Sequence, residues 1–254
     1  MITKNELDKL VQKYENKNFI KDDPIQFIYK SNKKEDAELF GFIASLFAYG
    51  NRKVFIKKLN DIFTITGNDI TNYIKNGDFA GLKGCEYRFA KDYDIIPIFN
   101  ILHKLYNESR GLEELFEYSF LKDRGDKYDK FLQGVTDYFY SLAPKEAKQG
   151  FFHMIPNPKN GGAMKRMNMF LRWNIRKSEV DKGIWKFMKP EDLYIPLDVH
   201  VARISRNMGL LTRKSNDFIA VKELTYKLKE YCPDDPVKYD FAMFAFGVEL
   251  NNIK

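Results

Sequence analysis

Two stretches decide how this chain reads: GGAMKRMNMFLRW at residues 161–173 and IPLDVHVARI at residues 195–204. The first leaves a loop, IPNPKNGG at 155–162, whose prolines and glycines exclude helix and demand a constrained turn. A helix is expected from about Ala163 to Ile175. Met164, Met167, Leu171 and Ile175 share one face, and Lys165, Asn168, Arg172 and Arg176 share a polar one. A glycine-rich turn entering a helix leaves backbone N–H groups unpaired, and these receive phosphate well. Lys165 would lie beside such a phosphate, although a helix start with solvated basic residues would show the same pattern. In the second stretch Asp198 follows Pro196 and an apolar run, the pattern of an N-cap, and opens a helix to Met208 with Gly209 just past its end. Val201, Ile204 and Met208 form the expected buried stripe. His200 reads as a structural or capping residue.

Working outward, the rest of the chain is also helical. Asp36 to Tyr49 is apolar nearly all round, which predicts a central buried helix ended by Gly50. Further helices are predicted at Val54 to Phe63, Ile95 to Tyr106, Leu112 to Phe120 and Lys127 to Leu142. Thr66-Gly67-Asn68 and Arg124-Gly125-Asp126 act as breaks between them. Two more are expected at Asp217 to Tyr231 and at Asp235 to Leu250, the latter with Asp235 as N-cap and Pro236 in the first helical position. The expectation is an all-α protein, a single helical domain over residues 1–254 built as two lobes, with its decisive region at 155–209.

Lys and Arg number 42 against 35 Asp and Glu, a net charge of +7. A basic balance suits a polyanionic partner such as nucleic acid. Lysine outnumbers arginine and Asn and Ile are plentiful, so AT-rich coding would give the same balance. No apolar run reaches the roughly 18 residues of a membrane span. The polar start MITKNELDKLVQKYENK lacks an apolar signal core, so a cytoplasmic, bacterial nucleoid-associated location is expected. Cys85 and Cys232 have no metal-ligand spacing and read as reduced thiols; His103, His153 and His200 form no zinc pattern. No cofactor or metal is expected.

Taken together, the two stretches resemble the helix-hairpin-helix DNA glycosylase superfamily typified by endonuclease III. That family carries a glycine-containing hairpin, a lysine opening the next helix, and a Val-Asp-Thr-His-Val-x-Arg-Val stretch. Here LDVHVARI at 197–204 matches the last, with Val199 in place of the common threonine. The hairpin at 155–163 is longer and looser than the family's compact form. The 33-residue interval from Lys165 to Asp198 looks more like the archaeal 8-oxoguanine glycosylase branch, and KRMNMFLRW at 165–173 with DPVKYDF at 235–241 resembles a less characterised bacterial family related to that branch.

The resemblance implies two helical lobes with the active-site cleft between them, and a base-excision enzyme that is a monomer acting on double-stranded DNA containing a damaged base. Lys165 becomes the Schiff-base nucleophile and Asp198 the catalytic carboxylate, because cleaving a nucleotide's glycosidic bond develops positive charge on the sugar and a neutral amine can attack C1′. Arg166, Arg172 and the positive helix end would favour the neutral amine. Hairpin residues Asn157, Lys159, Asn160, Gly161 and Gly162, with Arg166, are candidate DNA contacts. Tyr49, Asn51 and Arg52, after the central helix, are candidates for the wedge that fills the emptied stack; a plain helix end capped at Gly50 reads equally from the residues. Phe170, Trp173, Trp185, Asp240 and Phe244 are candidates for the base pocket. A non-catalytic helix-hairpin-helix DNA-binding protein is the alternative, and would need neither Lys165 nor Asp198. A helical RNA-processing or protein-interaction factor is a third reading.

Overall fold

The computed structural model describes residues 2–109, 111–122 and 128–252. The predicted break at Arg124 to Asp126, and the start of a helix at Lys127, lie outside them. Regular structure among the described residues is helical, apart from three isolated β-bridges. The chain divides into two compact units, one of residues 22–160 and one joining residues 1–21 to 161–254. The boundary falls inside the predicted hairpin, between Asn160 and Gly161.

The 22–160 unit is built on α2 (Lys34–Phe47), whose residues from Asp36 to Phe47 are all buried. Even two of its acids, Asp36 and Glu38, turn inward, and both are satisfied. Asp36 accepts from the backbone N–H and hydroxyl of Thr71 (3.0 and 2.6 Å), and Glu38 accepts from the Tyr106 hydroxyl at 3.0 Å. A short 3₁₀ helix, Pro24–Tyr29, packs on α2 behind an Asp23 cap. Asn51 caps α3 (Arg52–Thr66), and α4 (Ile70–Asn76) ends at the left-handed Gly77. Then come α5 (Asp92–Glu108), α6 (Leu112–Lys122), α7 (Tyr128–Ser141) and α8 (Gln149–Met154).

The other unit holds α1 (Lys4–Tyr14), α9 (Lys165–Ile175), α10 (Val199–Asn207), α11 (Phe218–Tyr231) and α12 (Lys238–Asn252). Helix α1 starts at a Thr3–Glu6 capping box and packs on α12, which also packs on α10. Two helix starts in this unit differ by two residues or more from the sequence reading. Helix α9 begins two residues late, because Met164 sits in the left-handed region (φ 50°) and acts as N-cap without a side-chain bond. Helix α12 begins at Lys238, not Asp235, because the Asp235 carboxylate is engaged by Arg176 at 2.7 Å instead of capping. No described helix is long and apolar enough to cross a membrane.

Charge divides unequally. Residues 22–160 carry 20 Lys and Arg against 20 Asp and Glu, whereas the other unit carries 22 against 15, so the whole excess of +7 belongs to the unit that contains Lys165 and Asp198.

Candidate active site

Lys165 is the first residue of α9, half-buried, directly after the left-handed Met164. Left-handed backbone disfavours a residue with a Cβ. Here it turns the chain sharply from the glycine loop into the helix, so Lys165 stands at the corner. The loop is fastened on one side: Gly161 C=O accepts from Phe218 N–H at 2.9 Å, beside the bridge from Gly162 to Asp217. The hairpin residues Lys159, Asn160, Gly161 and Gly162 are exposed. Asn157 spends its side-chain oxygen on Lys159 N–H (2.9 Å), fixing the local turn.

Asp198 caps α10 as its spacing predicted. One carboxylate oxygen accepts from His200 and Val201 N–H at 2.9 and 2.8 Å; the other takes no hydrogen bond among the described residues. The carboxylate is therefore oriented through one oxygen and offers the second. The His200 ring meets Phe244 edge-on at 6.1 Å.

What joins the two stretches is Asn168, fully buried one turn into α9. Its amide donates to Ala163 C=O at 3.3 Å and to Ile195 C=O at 3.5 Å. Ile195 N–H in turn donates to the Thr225 hydroxyl on α11 at 3.1 Å. The segment leading to Asp198 is thus pinned to the helix that Lys165 opens. Asp240, on α12, also lies among these charges. Burial is the main cause that pushes its pKa up to about 7; Asp198 and Asp181 raise it further, while Arg172 and Lys165 oppose. Lys165, Asp198 and Asp240 therefore share one electrostatic neighbourhood.

Beneath them lies a buried ionic network that the sequence reading missed. Arg172 bridges Asp181 (3.1 Å) and Asp240, and Arg176 binds Asp181 (2.9 Å), Asp235 (2.7 Å) and Glu15. Burial works against the Arg176 charge, but Glu15, Asp181 and Asp235 hold its pKa above the ordinary arginine value. Asp235 is pushed up by burial in spite of its partner. The expected polar face of α9 is therefore not a solvated one: Asn168, Arg172 and Arg176 are all buried. The signal was present, because apolar residues at 167, 169, 170, 171, 173 and 175 surround the helix and leave no face for water. Arg172, expected as a bare cation beside Lys165, is instead committed to two carboxylates.

Three pocket aromatics are also corrected. Phe170, Trp173 and Trp185 are completely buried, and Phe170 packs edge-on against Trp185 at 5.1 Å. They are core and cannot face a bound base without unpacking it. Asp240 and the half-buried Phe244 stay near the site. In the 22–160 unit, Asn51 is exposed and spends its side-chain oxygen on capping α3 (Val54 N–H, 3.3 Å). Arg52 is half-buried, and the Tyr49 hydroxyl donates to Tyr87 C=O at 3.1 Å. Among the described residues no three His, Cys, Asp or Glu side chains converge as metal ligands.

No curated protein and no solved structure matches this chain. A family model described as a protein of unknown function, DUF2400, matches residues 23–249. That match takes in α2 to α11, the Lys165 and Asp198 stretches and most of α12. With nearly its whole length inside the match, the chain belongs to the DUF2400 family.

Proposed function

We propose that this protein is a DNA glycosylase with associated lyase activity that removes an oxidised base, such as 8-oxoguanine, during base excision repair. The observation that carries the reading is the junction around Asn168, which ties the start of Lys165's helix to the segment that ends in Asp198. An amine and a carboxylate with one uncommitted oxygen suit attack on a nucleotide sugar. The Lys165 Nζ lone pair would bond to C1′ as the glycosidic bond breaks, its electron pair leaving with the base, which takes up a proton. Asp198 would stabilise the positive charge developing on the sugar. Opening of the sugar ring gives an imine, and loss of a C2′ proton then expels the 3′ phosphate.

Two further features support a duplex partner. The excess positive charge is confined to this unit. Gly162 has no positive φ and a Cβ there would meet nothing within 4 Å, so the free protein gives no reason for a glycine. Close approach of a ligand's backbone would give one.

The test is a panel of duplexes with single lesions, with borohydride added to reduce and trap the imine. Lys165→Gln should abolish trapping and leave duplex binding nearly intact. Asp198→Asn should slow base release by a factor of roughly 100 or more. Unchanged trapping in Lys165→Gln refutes the proposed nucleophile. Binding of duplexes with no base released from any lesion would favour a non-catalytic DNA-binding protein.

A further inference from the structure

The 22–160 unit carries a turn that its own folding does not explain. Tyr87 and Ala90 exchange both backbone hydrogen bonds (2.8 and 3.0 Å), leaving Arg88 and Phe89 as the two residues of the tip. Arg88 lies in the left-handed region at φ 53°, where glycine or asparagine is the ordinary choice. Phe89 is 62% exposed. An exposed aromatic ring beside a strained, charged residue is a poor arrangement for stability alone.

Yet the turn is rigidly supported. The Tyr49 and Tyr87 hydroxyls each donate to the other residue's carbonyl. Gly50 has φ 80°, and a Cβ there would crowd the Tyr87 hydroxyl (2.9 Å) and the Arg88 guanidinium, so glycine suits this position. The His153 ring stands between Tyr49 (4.8 Å) and Phe89 (5.4 Å), edge-on to both. The Arg88 guanidinium lies over Phe89 at 5.4 Å. The Phe89 carbonyl approaches Gly150 near the start of α8, close to a second exposed pair in which Lys148 sits over Tyr93 of α5 at 4.4 Å.

We infer that the Arg88–Phe89 turn is a stacking platform for an unpaired nucleobase, with Arg88 and Lys148 receiving the adjoining phosphates. Every base has a π-face, and aromatic side chains interleaved with cations form the surface that unpaired nucleic acid binds without sequence preference. A peptide ligand has no comparable need for two cations beside two rings. The inference shares with the proposed function only the choice of DNA as partner, and requires no chemistry at Lys165.

The experiment uses the full chain carrying Lys165→Gln, so that no strand is cut, and a duplex with one bulged 2-aminopurine. The same duplex fully paired serves as the control. Binding should quench the 2-aminopurine emission and favour the bulged duplex. Phe89→Ala should abolish the quench and weaken binding to the bulged duplex about fivefold or more, with little change for the paired one. Phe89→Trp should keep both. Arg88→Ala should weaken binding to the two duplexes alike and increase neither. The inference is overturned if Phe89→Ala binds and quenches as its parent does. It is equally overturned if the substitution instead abolishes attachment to vesicles of anionic phospholipid while DNA binding stays unchanged. A quench that persists in a protein whose Lys165 form never traps DNA would sink the glycosylase reading alone.

Discussion

Replacing Arg172 by leucine tests the buried network and the site above it together. The Arg172, Asp181 and Asp240 side chains are 4%, 0% and 7% exposed. Leucine fills similar space but removes the cation. Asp181 keeps Arg176 at 2.9 Å, so the group left without its ion-pair partner is Asp240. Stranding one buried charge costs about 3–5 kcal/mol. Asp240 has a way out, because its pKa already stands at about 7. At pH 6 it takes up a proton at small cost, whereas at pH 8 it must stay charged or be protonated against the solution, at about 1.4 kcal/mol per pH unit. The full loss is thus expected at pH 8, a fall in Tm of about 12–20 °C at roughly 4 °C per kcal/mol, and a clearly smaller one at pH 6. Both tryptophans of the chain, Trp173 and Trp185, are buried in this unit, so their emission reports its melting. Arg172→Leu combined with Asp240→Leu should regain at least half of the loss, since no charge is left stranded. A single variant melting within about 4 °C of the parent at pH 8 would refute the reasoning, as would a double variant no more stable than the single.

Four further outcomes are expected. Asp240→Asn should flatten the dependence of stability on pH: between the ordinary carboxylate range and about 7 the folded protein holds a proton that the unfolded chain has released, so this group's contribution declines as pH rises through that window, and melts at pH 5 and 8 check it. Asn168→Leu should cost about 1–3 kcal/mol through its unpaired buried carbonyl partners. It should reduce borohydride trapping much more than duplex affinity, measured side by side; equal losses would mean a purely structural role. Gly161→Ala should destabilise by about 1–2 kcal/mol because φ is 70° there. Gly162→Ala should melt like the parent yet bind all duplexes less tightly, and an effect on lesion preference alone would contradict the assignment of this loop.

Local grammar was enough for most of the helices. Asp198 caps where its spacing placed it, the helix expected from about Asp217 starts there, and the apolar run in α2 is buried throughout. These features depend on a few neighbouring residues, so the sequence contains them completely. Helix α1 was equally legible through Thr3 and Glu6, although the reading used that stretch only for its lack of apolar character. The ends of the helices at the candidate site were less so. Whether Asp235 caps α12 or pairs with Arg176 is a competition between a local partner and one 59 residues away, and only folding decides it. The same holds for Arg172 and Arg176, which look like solvated cations until Asp240 and Glu15 arrive from distant parts of the chain to join the nearby Asp181. The division of charge between a neutral unit and a basic one was hidden as well, because the basic unit is assembled from both ends of the sequence. Sequence alone therefore determined most of the helical segments and which residues are candidates for the chemistry. Tertiary structure decided which of those residues face one another, because long-range contacts satisfy buried charges that no local pattern can pair.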